Sequence, residues 1–196
     1  MDIPYTSEVR PDTGVTSQTL GMWLFLASEV MLFGSLFSSY ALLRSGATSW
    51  PHQSATVNVR LATVNTIVLV ASSITILGSS RSLRAGRVVR FRRLMASTAA
   101  LGIVFLAIKT AEYRGELAEG LRPSTNNFLG LYFVMTSVHA SHVLCGVAVN
   151  AYLCGPGSGM RYRDPARFAG RVKAAALYWN FIDAVWILMF VVLYLL

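Results

Sequence analysis

Charge is scarce in this sequence. Only 13% of the 196 residues are charged, whereas 54% are hydrophobic and the mean hydropathy is +0.52. A soluble domain of this size carries about 25% charged residues. The shortage of charge therefore excludes an ordinary soluble globular domain. Because the charged residues form short clusters between long apolar runs, the sequence predicts a polytopic membrane protein.

Acidic residues and cysteines are scarcer still. The sequence has 9 acidic residues against 17 lysines and arginines, and most of the arginines flank apolar runs. This placement indicates membrane topology and contact with lipid headgroups, and it argues against nucleic-acid binding. The two cysteines, Cys145 and Cys154, match neither a metal motif nor a disulfide framework, so we expect them to be small packing residues.

A cleavable signal peptide is also missing, because no basic start leads into a short apolar stretch. We expect the polar residues 1–18 to form a solvated cytoplasmic tail. A membrane-spanning helix needs about 20 mostly apolar residues, and five segments qualify: residues 19–43, 61–80, 94–113, 127–153 and 174–196. We predict an all-α bundle of about five transmembrane helices, forming one domain over residues 19–196 without an internal repeat.

The basic residues are distributed unevenly between the two sides of this bundle. Twelve lie in the tail and beside the second and fourth connections, and five lie in or beside the first and third. Lysine and arginine accumulate on the cytoplasmic side of membrane proteins. The distribution predicts a cytoplasmic N-terminus and an outer C-terminus.

Several ionisable side chains lie inside the predicted spans, where each one is a candidate functional residue because its burial is costly. They are Glu29, His139, His142 and Asp183, with Lys109 and Glu112 near the outer end of the third span. From the rise of an α-helix, Glu29, His142 and Asp183 lie about 14 to 15 Å from the cytoplasmic edge. His139 shares a face with His142, about one turn further out.

These residues are compatible with three kinds of site. The first, slightly favoured by the residues alone, is a polar belt that fixes helix packing through hydrogen bonds; its further members would be Asn65, Ser72, Ser137 and Asn180. The second is a protonatable site at a water path or against a partner subunit. A metal site is disfavoured, because two histidines three residues apart bind metal in bundles only with several facing carboxylates.

Lys109 and Glu112 are spaced for a salt bridge on one helix face. We interpret them as an interfacial anchor. The first span also has two distinct faces: Glu29 lies among bulky residues, and a separate stripe of small residues permits close helix contact. The stripe consists of Ala27, Gly34, Ser38 and Ala41. The sequence leaves open whether the Glu29 face meets lipid, a helix of the same chain or another subunit.

Five segments, one in each span and in the same order, resemble motifs of subunit III of cytochrome c oxidase. The first, WLFLASEVMLF, contains Glu29 where the family has an intramembrane glutamate. The second is Asn65-Thr66 followed by Ser72-Ser73-Ile74-Thr75. The remaining three contain KTAEY from Lys109, HASHV from His139, and YWNFIDAVWI from Tyr178. The resemblance covers residues 16–196.

The resemblance implies a non-catalytic, accessory subunit of a proton-pumping oxygen reductase in a bacterial inner membrane. Such a subunit packs mainly on catalytic subunit I, beside subunit II, binds structural phospholipid, and supports proton uptake and the endurance of the complex. Haem and copper belong to its partner subunits. Glu29, His139, His142 and Asp183 would support proton uptake or contact lipid or subunits, and Asn65, Lys109, Glu112, Asn180 and Trp186 would pack at interfaces.

The chain departs from the family at some positions. Asn180 stands where the family usually has histidine, and Ala140 where it has glycine. Longer relatives have two extra N-terminal helices that form one wall of a lipid cleft; for this chain, that wall would have to come from another subunit.

The nearest alternative is subunit III of a quinol oxidase, although a glutamate at position 29 favours cytochrome c as the electron donor. An accessory protein of nitric oxide reductase is less favoured. A small transporter using Glu29 and Asp183 as proton carriers is disfavoured, because transporters often show internal repeats and Gly/Pro-interrupted helices at matching positions.

Overall fold

The structure, a computed structural model, describes residues 10, 14–51 and 57–196 of the chain. Its long helices are α1 (Ser17–Ser45), α2 (Val59–Arg84), α3 (Val88–Ala118), α4 (Asn127–Cys154) and α5 (Pro165–Phe190), which continues as a π-helical turn, Val191–Leu195. A 3-10 turn, Pro156–Gly159, and one helical turn, Met160–Arg163, connect α4 to α5. All five are long and apolar enough to span a membrane, which confirms the predicted all-α bundle.

The predicted spans are shorter than the helices at the arginine-rich end of the bundle, where α2 joins α3 and α4 joins α5. There α3 begins at Val88 and α5 at Pro165, where the sequence predicted residues 94 and 174. The additional turns are rich in arginine, which interrupts an apolar run but continues a helix readily. The apolar runs therefore mark only the part of each helix that hydrocarbon can surround.

Local sequence sets most of the helix starts. Four long helices begin with a cap, in which a side-chain oxygen accepts a hydrogen bond from a backbone N–H of the first turn. The caps are Thr16, Asn58, Asn126 and Asp164. α3 has no such cap and follows α2 after a tight turn at Gly86, whose φ of 69° favours glycine. α2 and α3 therefore lie antiparallel, side by side.

Trp179 sets how closely α3, α4 and α5 approach one another. Its indole, on α5, is 1% exposed and lies between Gly102 of α3 and Gly146 of α4. A Cβ atom added at Gly102 would come within 2.7 Å of the indole, and one added at Gly146 within 2.8 Å. This helix spacing therefore requires residues without a side chain at both positions.

α1 packs mainly on α5 and α4, through the face that carries Glu29. Its buried residues are Leu26, Glu29, Phe33 and Tyr40. The small-residue stripe, Ala27, Gly34, Ser38 and Ala41, is exposed. The Glu29 face thus meets helices of the same chain, and the expectation that the stripe makes close helix contact is wrong for the helices of this chain.

We expect Gly146→Ala to lower the free energy of unfolding by about 1–3 kcal/mol, because the added methyl group overlaps the Trp179 indole in a close-packed interior. Thermal unfolding of the purified protein would measure the change. Gly34→Ala is the matched control, since nothing lies within 4 Å of the added atom there. Equal melting temperatures for the two variants would contradict this account of Trp179.

Candidate functional site

The candidate residues occupy three separate places in the bundle. Glu29 of α1 and His142 of α4 form a pair, Asp183 of α5 faces α2, and Lys109 and Glu112 of α3 belong to a buried cluster. The sequence predicts one depth for Glu29, His142 and Asp183; the structure brings the first two into contact and directs Asp183 towards α2. The depth of a residue along a helix does not determine the direction in which its side chain points about the helix axis.

The Glu29–His142 pair is a direct contact between two helices. Glu29 Oε2 lies 2.9 Å from His142 Nε2. The other ring nitrogen, Nδ1, lies 2.7 Å from the Val138 carbonyl oxygen one turn earlier. The Phe33 ring packs against the imidazole, with 5.4 Å between the ring centroids. Both side chains are mostly buried, with 12% of Glu29 and 17% of His142 exposed.

This geometry allows Glu29 and His142 to share a proton. A carbonyl oxygen only accepts hydrogen bonds, so Nδ1 carries the hydrogen that faces Val138. The 2.9 Å separation between Nε2 and the carboxyl oxygen accommodates a second hydrogen, on the imidazole or on the carboxyl group. A proton held in this contact can pass between two ionisable groups.

The pair borders an apolar groove of about 800 Å³ between α1, α4 and α5. Met22 and Phe25 form one wall, and Tyr178 donates a hydrogen bond to the His142 carbonyl at 3.1 Å. Arg171 also lines the groove, about 10 Å along α5 from Tyr178 towards the arginine-rich end. The groove therefore combines a long apolar wall with one cationic group.

The second place is a cluster of Lys109, Glu112 and Glu116 on α3, Tyr132 on α4 and Tyr194 after α5, which we call the Lys109 cluster. The Lys109 ammonium lies 3.1 Å from Glu112 Oε2, and it donates to the Tyr132 and Tyr194 hydroxyls at 2.9 and 2.5 Å. Tyr132 also contacts Glu112 and Glu116, at 2.8 and 2.7 Å. The cluster lies at the end of the bundle opposite the arginine-rich end.

The predicted Lys109–Glu112 salt bridge is present, but its interpretation as an interfacial anchor is wrong. Both residues are only 2% exposed. The tyrosine rings around the ammonium explain the burial: its nitrogen lies 4.7 Å from the Tyr132 ring centroid and 5.3 Å from that of Tyr194. Cation–π contacts and hydroxyl acceptors together replace the water that an interface would have provided.

Asp183 forms the third place. Its Oδ2 accepts hydrogen bonds from the Ser73 hydroxyl and, at 3.4 Å, from that of Ser72. Ser72 in turn accepts from the Trp179 indole at 2.8 Å. Asp183 is 4% exposed, so the carboxyl group ties α5 to α2 inside the bundle. This arrangement matches the polar belt, with Ser72 a member as predicted.

The other candidates make packing contacts inside the bundle. His139 is fully buried between Phe105 and Trp186, so it does not share the groove with His142. The remaining side-chain donors bond within the bundle: Trp186 to Thr66 at 3.1 Å, Asn180 to the Ala176 carbonyl at 2.8 Å and Asn65 to the Phe105 carbonyl at 3.4 Å. The functional roles assigned to these residues stay predictions.

Sequence reasoning missed Glu116, Tyr132, Tyr194 and Ser73 as members of these sites. Glu116 had a usable signal, because it lies four residues after Glu112 and seven after Lys109, on one helix face. The tyrosines had none, since they reach Lys109 from other helices. Within residues 10, 14–51 and 57–196, no group of three or more histidine, cysteine, aspartate or glutamate side chains is arranged to hold a metal ion.

Comparison with known proteins gives one consistent family. The family model described as cytochrome c oxidase subunit III matches residues 10–196. A cytochrome c oxidase subunit 3 from Thermostichus vulcanus is 36% identical over 183 residues, which cover 91% of this chain and 87% of the relative.

Two further relatives differ in type. A cytochrome bo(3) ubiquinol oxidase subunit 3 from Pseudomonas putida is 30% identical, over 90% of this chain and 84% of the relative. A heme-copper oxidase subunit I+III from Aeropyrum pernix is 29% identical over 89% of this chain but only 22% of its own length. As its name states, that relative combines subunits I and III.

We expect Lys109→Met to destabilise the bundle by about 3–5 kcal/mol, because it leaves the buried Glu112 carboxylate without its cation. The double variant Lys109→Met/Glu112→Gln should be less destabilised, since it removes both charges. Thermal unfolding would measure both, with Arg114→Met, an exposed cation on the same helix, as control. A Lys109→Met variant as stable as the control would contradict this role of the pair.

Proposed function

The chain belongs to the cytochrome c oxidase subunit III family, and we propose that its Glu29–His142 pair supports proton uptake by the catalytic subunit. As a member of this family it is an accessory subunit of a haem–copper terminal oxidase, a multi-pass membrane protein associated with subunit I, without the catalytic centre of the complex. Its own ionisable side chains are therefore the groups through which it can act on protons in that complex.

The 2.9 Å contact between Glu29 and His142 is the observation that carries this proposal. The pair can take up or release a proton with little movement, because the two groups already lie 2.9 Å apart. It borders the groove, so it can face a partner or a lipid rather than being sealed in the bundle. Intramembrane ionisable groups in such positions often belong to proton relays.

The surroundings of the chain are part of the same proposal. We place subunit I as the main contact, with subunit II as a further partner, in a bacterial inner membrane with the N-terminus cytoplasmic. Haem and copper would be held by the partner subunits. Cytochrome c is the proposed electron donor, and the identity to a ubiquinol oxidase subunit makes quinol the alternative. Oxidation of cytochrome c or quinol by the purified complex separates the two.

The groove is the proposed site of a structural phospholipid. Its wall is long and apolar, which suits an acyl chain, and Arg171 lies where a phosphate group of that lipid could bind. α1, α4 and α5 supply all of the described residues that line this groove. An acyl chain there would also keep water away from the Glu29–His142 pair.

We expect Glu29→Gln to leave the haem content of the complex unchanged but to slow proton uptake, or to shorten the lifetime of activity, several-fold. Glutamine can bond to His142 but cannot exchange a proton with it. Stopped-flow pH measurements and activity over repeated turnovers would test this. Glu119→Gln, an exposed glutamate, is the control. Normal uptake and endurance in Glu29→Gln would leave the residue with a packing role only.

We expect Arg171→Gln to reduce the phospholipid that co-purifies with the complex by about one molecule per chain, since the variant loses the cation at the groove. Quantitative lipid mass spectrometry would measure the loss. Arg167→Gln, one turn earlier on α5 and exposed, is the matched control. Equal lipid content in the two variants would exclude Arg171 as the headgroup ligand, and competition by added inorganic phosphate would indicate a free anion instead.

A further inference from the structure

The Lys109 cluster contains more buried carboxylates than cations. Its single ammonium group, on Lys109, faces Glu112, and Glu116 is the additional carboxyl group. Glu112 and Glu116 are 2% and 5% exposed. An excess negative charge inside a membrane protein is costly and needs a bound cation or proton nearby. The cluster therefore needs a place where that compensating charge is held.

A count of the hydrogen-bond donors in the Lys109 cluster identifies the oxygen at which this compensating charge is held. Lys109 has three protons, and three acceptors lie within 3.1 Å of its nitrogen: Glu112, Tyr132 and Tyr194. The Tyr194 hydroxyl donates its one proton to Glu112 Oε1 at 2.9 Å. The Tyr132 proton can then serve Glu116 Oε1, at 2.7 Å. With this assignment, every hydrogen of the cluster has an acceptor.

One carboxyl oxygen of the cluster receives none of these hydrogens. Glu116 Oε2 is buried and has no hydrogen-bond partner among the residues that the structure describes. Glu112 Oε2 has no hydrogen bond either, but it forms an ion pair with the ammonium group, 3.1 Å away. A buried carboxyl oxygen without a partner loses its hydration without compensation. Oε2 of Glu116 is thus the position where an added proton would complete the cluster.

Glu116 also lies beside a space that water can fill. It borders a cleft of about 680 Å³ between the start of α2 and the end of α3. The cleft has room for roughly twenty waters at about 30 Å³ each. Its lining includes two exposed charged residues, Arg60 and Glu119, so the cleft opens to solvent. A proton can therefore reach Glu116 without crossing the apolar part of the bundle.

We propose that Glu116 is a proton-binding site, which exchanges its proton with water in this cleft. On uptake, an O–H bond forms at Oε2, a hydronium ion becomes water, and the charge of the Lys109 cluster changes from −1 to 0. Tyr132 keeps its hydrogen bond to Oε1 throughout. A proton fits better than Mg²⁺ or Ca²⁺, which need six or more oxygen ligands, because Glu116 Oε2 is the one oxygen of the cluster with neither a hydrogen bond nor an ion-pair contact among the described residues.

The groups around Glu116 come from every element packed against it. They are Lys109, Glu112, Tyr113 and Glu119 of α3, Tyr132 of α4, Tyr194 after α5, and Arg60 of α2, which lines the same cleft. Lys109 is already compensated by Glu112, so it does not remove the need for a proton. Arg60 and Glu119 are both exposed and carry opposite charges, so together they add no net charge to the cleft.

Infrared difference spectroscopy of the purified oxidase complex tests this proposal. Lowering the pH should produce a carbonyl band of a buried, protonated carboxyl group, and the band should shift in D2O. Glu116→Gln should remove this band. Glu119→Gln, on the same helix and at the same cleft, should leave it in place. Each variant is first checked for haem content, so that only assembled complexes are compared.

A second variant keeps the test independent of Glu116→Gln. Tyr132→Phe removes the donor to Oε1 while leaving the Glu116 carboxyl group intact, so the band should persist at a changed frequency. An acid-induced spectrum that is the same in the unmodified complex and in both variants would overturn the proposal. So would a Glu116 band that is present at every pH, because that proton would not exchange.

The result is separable from the function proposed for the Glu29–His142 pair. That function is measured by proton uptake and endurance in Glu29→Gln, whereas the proton site is measured by the carboxyl band. Glu116 and Glu29 lie on different helices and border different cavities. Loss of one readout with retention of the other therefore identifies which inference fails.

Discussion

A buried ammonium group holds together one end of this bundle. Lys109 lies on a membrane-spanning helix and is 2% exposed, so its charge has to be compensated entirely by protein. It finds its partners on its own helix, at the start of α4 and after the end of α5. These contacts fix the relative position of three helices. They also explain why two tyrosine hydroxyls and two glutamates are found in the apolar interior of the chain.

A second constraint acts in the middle of the bundle, where Trp179 fills the space left by Gly102 and Gly146. The same indole donates to Ser72, which also contacts Asp183. Packing and polar contacts therefore lock α2, α3, α4 and α5 together. α1 is different, because it packs mainly on one side and leaves an apolar groove beside the Glu29–His142 pair. The four-helix unit thus provides the surface on which α1 places Glu29 against His142.

The two protonatable places have different surroundings, which suits an accessory subunit without a catalytic centre. The Glu29–His142 pair faces an apolar groove, where lipid or a partner subunit can cover it. Glu116 faces a cleft lined by charged residues, where water can reach it. Neither place requires a redox group in this chain. In the proposed functions, both act by holding a proton in a low-dielectric environment where its transfer is controlled by a few hydrogen bonds.

The sequence by itself determined the five spans, because a helix that crosses hydrocarbon needs a long apolar run, and it determined which side chains would be costly to bury. It also indicated the Lys109–Glu112 salt bridge, since residues three apart share a helix face. Only the tertiary structure decided that this pair is buried, that Glu29 meets His142 while Asp183 turns towards α2, and that Tyr132, Tyr194 and Glu116 complete the cluster. The physical reason is that periodicity along one helix defines only the faces of that helix. The rotation of each helix about its axis is set by packing against the other helices, as Trp179 shows by its position between two glycines.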